Sequence, residues 1–326
     1  MAKKFKTKIT EMLGCDYPIL CGGMQWISKS DFVSKVCEAG AFGFITAESF
    51  AGPEELRADI RKMRDLTDQP FGVNLSMVPE FGLPERTLRF CDVLIEEGVK
   101  VVETAGRSPE PLMPKLKAAG VKVIHKLTSV RHALSAERLG VDAVTLIGYG
   151  SGGHIGMDNV ASFIMIPLAV KKLGIPVIAG GAAADGKGFL GALAMGAEAV
   201  LLGTVFFASE ECPIHPAIKQ RLVRTTETGT CLLMGSLKNP IRAVRNELAE
   251  KVMEIEARGT TLEELLQHVG GGKGKLAYEE GDPTISLIPS GQVVGLIDEV
   301  RPVRKIVADM VAEAEALLER LDKMRV

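Results

Sequence analysis

Between Gly148 and Glu210 the chain reads GYGSGGHIGMDNVASFIMIPLAVKKLGIPVIAGGAAADGKGFLGALAMGAEAVLLGTVFFASE. Two short apolar runs, VIA at 177–179 and AVLL at 199–202, end in glycine at Gly180-Gly181 and at Gly203-Thr204. Runs this short and this apolar read as strands buried on both faces, and the apolar stretches around them read as helices. A strand, a glycine-rich end and a helix form the repeating unit of a parallel α/β fold. Glycine ends leave backbone N–H groups uncovered, and at the last two strands of an α/β barrel they suit a phosphate. Just upstream, His154 lies inside the loop Gly152-Gly153-His154-Ile155-Gly156.

The same unit recurs from the N-terminus. Strand-like runs at Tyr17–Gly22, Phe42–Ala47, Phe71–Leu75, Val99–Thr104, Val121–Leu127 and Ala143–Ile147 alternate with helical patterns at Ser30–Ala39, Pro53–Leu66, Arg86–Glu97, Pro109–Ala119 and Val130–Leu139. With the two later strands this makes eight, and an unbroken alternation with no reversal point favours a closed barrel over a doubly wound sheet. After Glu211 the rhythm changes. Residues 217–280 are charged and helical in pattern, show no strand signal and end in a glycine-rich tail at 270–274. The expected fold is therefore a (β/α)8 TIM barrel, 1–216 and 297–326, with a small helical subdomain, 217–296, inserted after the eighth strand and covering the barrel mouth. Pro302–Lys323 reads as the eighth barrel helix.

A formal net charge of −2 gives no pull toward nucleic acid or an anionic membrane, so a small molecule is the expected partner. The six cysteines show no C-x-x-C pair and read as buried thiols of a reducing, cytoplasmic compartment, with no metal site. The start MAKKFKTKITEML has no apolar signal core. Phe189–Ala208 is nearly apolar enough for a membrane span, but Glu198 and its glycines divide it into a helix and a strand.

Function in a barrel collects at the C-terminal ends of the strands. Gly22-Gly23-Met24, Asn74, Glu103–Gly106, His125-Lys126, Gly148–His154, Gly180-Gly181 and Gly203-Thr204 fall there. Lys126 and Asn74 offer a cation and an amide that fit the polar edge of a flavin ring. Each has a plainer reading as well, Lys126 in a rim salt bridge and Asn74 as a partner for loop backbone. His125, His132, His215 and His268 read as structural. His154 differs, because glycines on both sides free it to face a ligand.

The stretches YPILCGGMQW (17–26), PFGVNL (70–75), VIHK (123–126), GGHIG (152–156), PVIAGGAAADG (176–186) and GAEAVLLGT (196–204) resemble the nitronate monooxygenase (2-nitropropane dioxygenase) superfamily. The likeness extends over nearly the whole chain. VETAG (102–106), RHALSAERLGVDAV (131–144) and ECPIHP (211–216) look most similar to its NADH:quinone reductase branch. The resemblance implies bound FMN, with NAD(P)H as reducing co-substrate. The acceptor would be a quinone, with a nitronate or an enoyl thioester as the alternatives. It implies that Gly180, Gly181, Gly203 and Thr204 hold the FMN phosphate. Gly22, Gly23 and Met24 would lie under the ring, with Asn74 and Lys126 at its polar edge. Gly152 and Gly153 would approach the cofactor, Gln292 would cover it, His154 would be catalytic, and the loop Ser76–Pro84 would be a gate. A homodimer is compatible with this reading. The chain departs from the superfamily where an acidic residue and an alanine often precede Gly-His. Here Gly150-Ser151-Gly152-Gly153 stand, and a more mobile loop is expected.

Overall fold

The computed structural model describes residues 5–77, 85–270 and 272–325. Its strands are β1 Ile19–Cys21, β2 Phe42–Thr46, β3 Gly72–Met77, β4 Val101–Gly106, β5 Lys122–Leu127, β6 Ala143–Ile147, β7 Gly153–His154, β8 Val177–Gly180, β9 Ala199–Leu202, β10 Thr230–Leu233 and β11 Ile241–Val244. β1 to β6, β8 and β9 close a parallel barrel, sealed where Ile19 and Leu20 of β1 pair with Val200 and Leu201 of β9. The TIM barrel expected from the alternation is thus present.

The barrel strands feed two cores, because successive side chains point to opposite faces. Leu20, Phe42, Phe44, Ile124, Ile178 and Leu201 fill the barrel interior. Their neighbours Ile19, Cys21, Ile45, Val123, Val177 and Leu202 pack outward against the helices. The helix Lys8–Leu13, unread in the sequence, sends Ile9 and Leu13 into the interior cluster and so plugs one end of the barrel. Thr7 anchors it by donating to the Glu198 carbonyl at 2.7 Å. The helix Val303–Asp322 lies against the helices Gly186–Ala194 and Ser30–Glu38 and completes the outer ring, as expected for the last barrel helix.

Beyond β9 the structure corrects the expectation of a purely helical insertion. Residues 230–244 form the antiparallel pair β10–β11, with Cys231 opposite Ala243. β11 also pairs with β7, Ile241 opposite His154 and Arg242 opposite Gly153. The helices Glu247–Ala257, Leu262–Val269 and Lys273–Glu280 follow. Strands of four residues inside a charged stretch carry too little alternation to be read locally, and the two-residue β7 carries none. Among the described residues no helix is long and apolar enough to cross a membrane, and no cluster of three or more metal-ligating side chains occurs. All six cysteines are free; five are buried, and Cys15 is half-buried.

Candidate active site

At the C-terminal ends of β3, β4 and β5 three expected or flanking residues meet. Lys126 Nζ lies 2.8 Å from Glu103 Oε2, and Asn74 Nδ2 donates to the same oxygen at 2.6 Å. Asn74 Oδ1 in turn accepts from Ser76 Oγ at 3.1 Å. Glu103 is fully buried, so the lysine cation and the amide offset a carboxylate that would otherwise be costly to enclose. Its second oxygen has no partner among the described residues. Lys126 is therefore both a rim salt bridge and a cation at the barrel mouth. Glu103 completes the trio through its neighbours on adjacent strands, a relation that residue type alone does not reveal. Glu48, in the short helical turn Ala47–Ser49, accepts from the Ser76 N–H at 2.9 Å, and burial pushes its carboxyl up to about 7. The expected gate at Ser76–Pro84 begins here, but 78–84 lie outside the described residues.

The first loop packs across this trio. Gly22 donates to the Leu202 carbonyl at 3.2 Å, Gly23 lies against the Asn74 side chain, and the Met24 N–H donates to Ser28 Oγ at 3.1 Å. Trp26 holds φ +69°, a strained setting for a bulky residue, and Ser49 Oγ fixes it by accepting from its N–H at 2.8 Å.

The glycine ends of β8 and β9 come together with the loop 148–154 and with the returning chain at 290–292. Gly181 has φ +69°, and a Cβ there would collide with Ser151 Oγ. A Cβ on Gly152 would sit 2.7 Å from the Gly291 nitrogen. The Gly291 N–H donates to Thr204 Oγ1 at 3.0 Å, and the Gln292 N–H donates to the Gly150 carbonyl at 2.8 Å. The Gly180 carbonyl accepts from Ser162 Oγ at 3.1 Å. Around Gly203, by contrast, an added Cβ would meet no atom within 4 Å. The hydroxyls of Ser151 and Ser290 are buried in this cluster without partners among the described residues. Buried hydroxyls rarely go unsatisfied, so these two are candidates for a polar partner.

His154 sits next to this cradle. It lies in β7, whose pairing with β11 and whose Ile155 N–H, bonded to the Pro240 carbonyl at 3.2 Å, hold the segment. The loop expected to be mobile is tied into a sheet, because the glycines that free its backbone also let β11 and 290–292 approach it. The His154 side chain remains accessible, yet crowding around the ring pushes its pKa below the ordinary value, with the nearby Asn239 side chain pulling the other way. The ring is therefore neutral at pH 7. His125 behaves as a structural histidine, buried with Nδ1 2.9 Å from Thr104 Oγ1, and its burial lowers its pKa to about 4. His215 caps the helix Pro216–Val223 by accepting from the Ala217 N–H.

The chain matches the family described as nitronate monooxygenase over residues 6–313. It is 29% identical to a hydroxy-methyl-oxo-octahydroindene-carboxyl-CoA dehydrogenase of Rhodococcus jostii, covering 98% of this chain and 99% of that protein. A probable nitronate monooxygenase of Staphylococcus saprophyticus is also 29% identical, over 78% of this chain and 82% of its own length. Among solved structures, FabK from Thermotoga maritima superimposes with a TM-score of 0.89 at 37% identity, covering 98% of this chain and 99% of that one. With the barrel, the glycine cradle and the histidine already in view, these likenesses converge: the chain belongs to the nitronate monooxygenase family of oxidoreductases.

Proposed function

We propose that the protein is an FMN-dependent oxidoreductase that is reduced by NAD(P)H and passes two electrons to a small quinone-type acceptor. The observation that carries this reading is the placement of an accessible, neutral His154 beside a cradle with two unpartnered hydroxyls. The cradle fits a phosphate: Gly181 and Gly203 leave backbone uncovered, Thr204 and Gln292 bracket it, and Ser151 and Ser290 have hydroxyls to donate. Gly22, Gly23 and Met24 would underlie the ring. Lys126, held by Glu103, and Asn74 would face its polar edge. When bound, FMN supplies reversible two-electron redox chemistry at this position. His154 hydrogen-bonds the acceptor oxygen and moves a proton at its ring nitrogen, a task suited to a group that is neutral at the working pH. The insertion, 217–296, acts as a second unit that covers the mouth and, through β11, orients His154.

A second acceptor class has its own support. The carboxyl-CoA substrate in the name of the Rhodococcus relative favours a thioester. In anaerobic stopped flow, NAD(P)H is expected to bleach the bound flavin, and a quinone or an enoyl thioester to restore its colour. Absence of bleaching with either nicotinamide, together with oxygen uptake on an alkyl nitronate, would turn the assignment to nitronate oxidation.

A further inference from the structure

Beside the flavin cradle lies a cavity of about 740 Å³, bounded by Tyr149, Gln292, Leu232, Met253, Arg242 and Arg245. A second cavity of about 660 Å³ adjoins it across Arg245 and is bounded by Arg221 and Arg224. Arg242 is the unusual member, only 3% exposed. Its Nε donates to the Tyr149 carbonyl and its Nη1 to Thr230 Oγ1, each at 3.1 Å, and its guanidinium lies over the Tyr149 ring at 4.7 Å. Its Nη2 is buried with no acceptor among the described residues.

A buried cation with an unused donor is costly to enclose unless an anion completes it. Among the described residues no carboxylate pairs with Arg242, Arg221 or Arg224, and Arg245 meets only Glu250 at the surface. Among the described residues, Glu227 is the one acid bounding either cavity. Four arginines along two joined cavities exceed what Glu227 and Glu250 need, and guanidinium forks match phosphate oxygens. Leu232, Met253 and the Tyr149 ring give the inner cavity apolar walls suited to the non-ionic part of such a ligand.

We propose that these cavities bind the diphosphate of an adenosine-diphosphate unit, with Arg242 as the inner anion partner and Arg245, Arg224 and Arg221 along the outer path. Both a nicotinamide dinucleotide and a coenzyme A thioester carry that unit. The assignment rests on the proposed reading that one of them is a substrate. Gln292 bounds the inner cavity and belongs to the cradle, so a ligand anchored there lies beside the cradle.

The test is calorimetric titration of the FMN-loaded protein with ADP, and with adenosine as the phosphate-free probe. ADP should bind at least tenfold more tightly than adenosine. Arg242→Gln should weaken ADP at least tenfold and Arg224→Gln severalfold, with flavin absorbance retained; the exposed Arg224 keeps the test alive if Arg242→Gln does not fold. Displacement of ADP by NAD(P)+ would assign the site to the reductant, and displacement by coenzyme A to the acceptor. The site is overturned if ADP does not bind, if both variants bind ADP like the parent, if neither cofactor displaces it, or if Arg242→Gln releases FMN while ADP affinity stays unchanged. These readouts need no turnover. Intact ADP binding without flavin bleaching counts against the proposed reductase alone, and bleaching with ADP affinity unmoved by the variants counts against this site alone.

Discussion

His154 is poised by two opposing influences, crowding that lowers its pKa and the Asn239 side chain that raises it, and crowding wins. The sign of the consequence follows directly. The folded ring gives up its proton below pH 6.5, where an unfolded chain still holds one, so stability contributed here is present above that pH and is lost as pH falls through the folded pKa. Catalysis that uses the neutral ring should decline over the same acid range. His154→Asn is expected to lower kcat by about 10²- to 10⁴-fold, the usual weight of a positioned acid–base group, with flavin absorbance unchanged. The acid limb of the parent's rate profile should vanish in the variant, and a limb that survives would place the titrating group elsewhere. Among five histidines, the glycines on both sides are what single this one out in the sequence. Why its ring is neutral was not legible there, because β11, which packs beside it, arrives from a segment distant in sequence.

At the scale of elements, the glycine ends of β8 and β9 were readable because an apolar run and the glycine that stops it are contiguous. The pairing of β7 with β11 was not readable. It joins residues nearly ninety positions apart, and loop closure over such a span is repaid only by contacts that no local pattern records. Gly152 is the tight contact of this assembly, since a side chain there meets the backbone of 290–291, which cannot yield as a flexible side chain could. Gly152→Ala should therefore cost about 1 to 3 kcal/mol, typical of overpacking, and reduce retained FMN. Urea unfolding and flavin content of the purified variant measure the two effects. Parent-like values for both would mean that 290–292 does not close on the loop in solution.

For the whole molecule, the barrel stands on its own two cores, whereas the mouth brings together buried polar groups that lack protein partners. A ligand that satisfies them binds the folded chain alone and so stabilises it. At a free FMN concentration 100-fold above its Kd, stabilisation of about 2.7 kcal/mol is expected relative to the stripped protein. Thermal melts of stripped and reloaded protein should show the difference, and coincident melts would remove FMN as the occupant. The sequence by itself determined the barrel, its strand ends and the cluster of glycines around one histidine, because hydrophobic period and chain-breaking glycines act over a few neighbouring residues. Only the tertiary structure decided that the insertion contributes a sheet, that this sheet holds His154, that Glu103 ties Lys126 to Asn74, and that Arg242 is buried with a donor to spare. Each of these depends on segments meeting across the barrel mouth, where the gain comes from burial and pairing between distant parts of the chain.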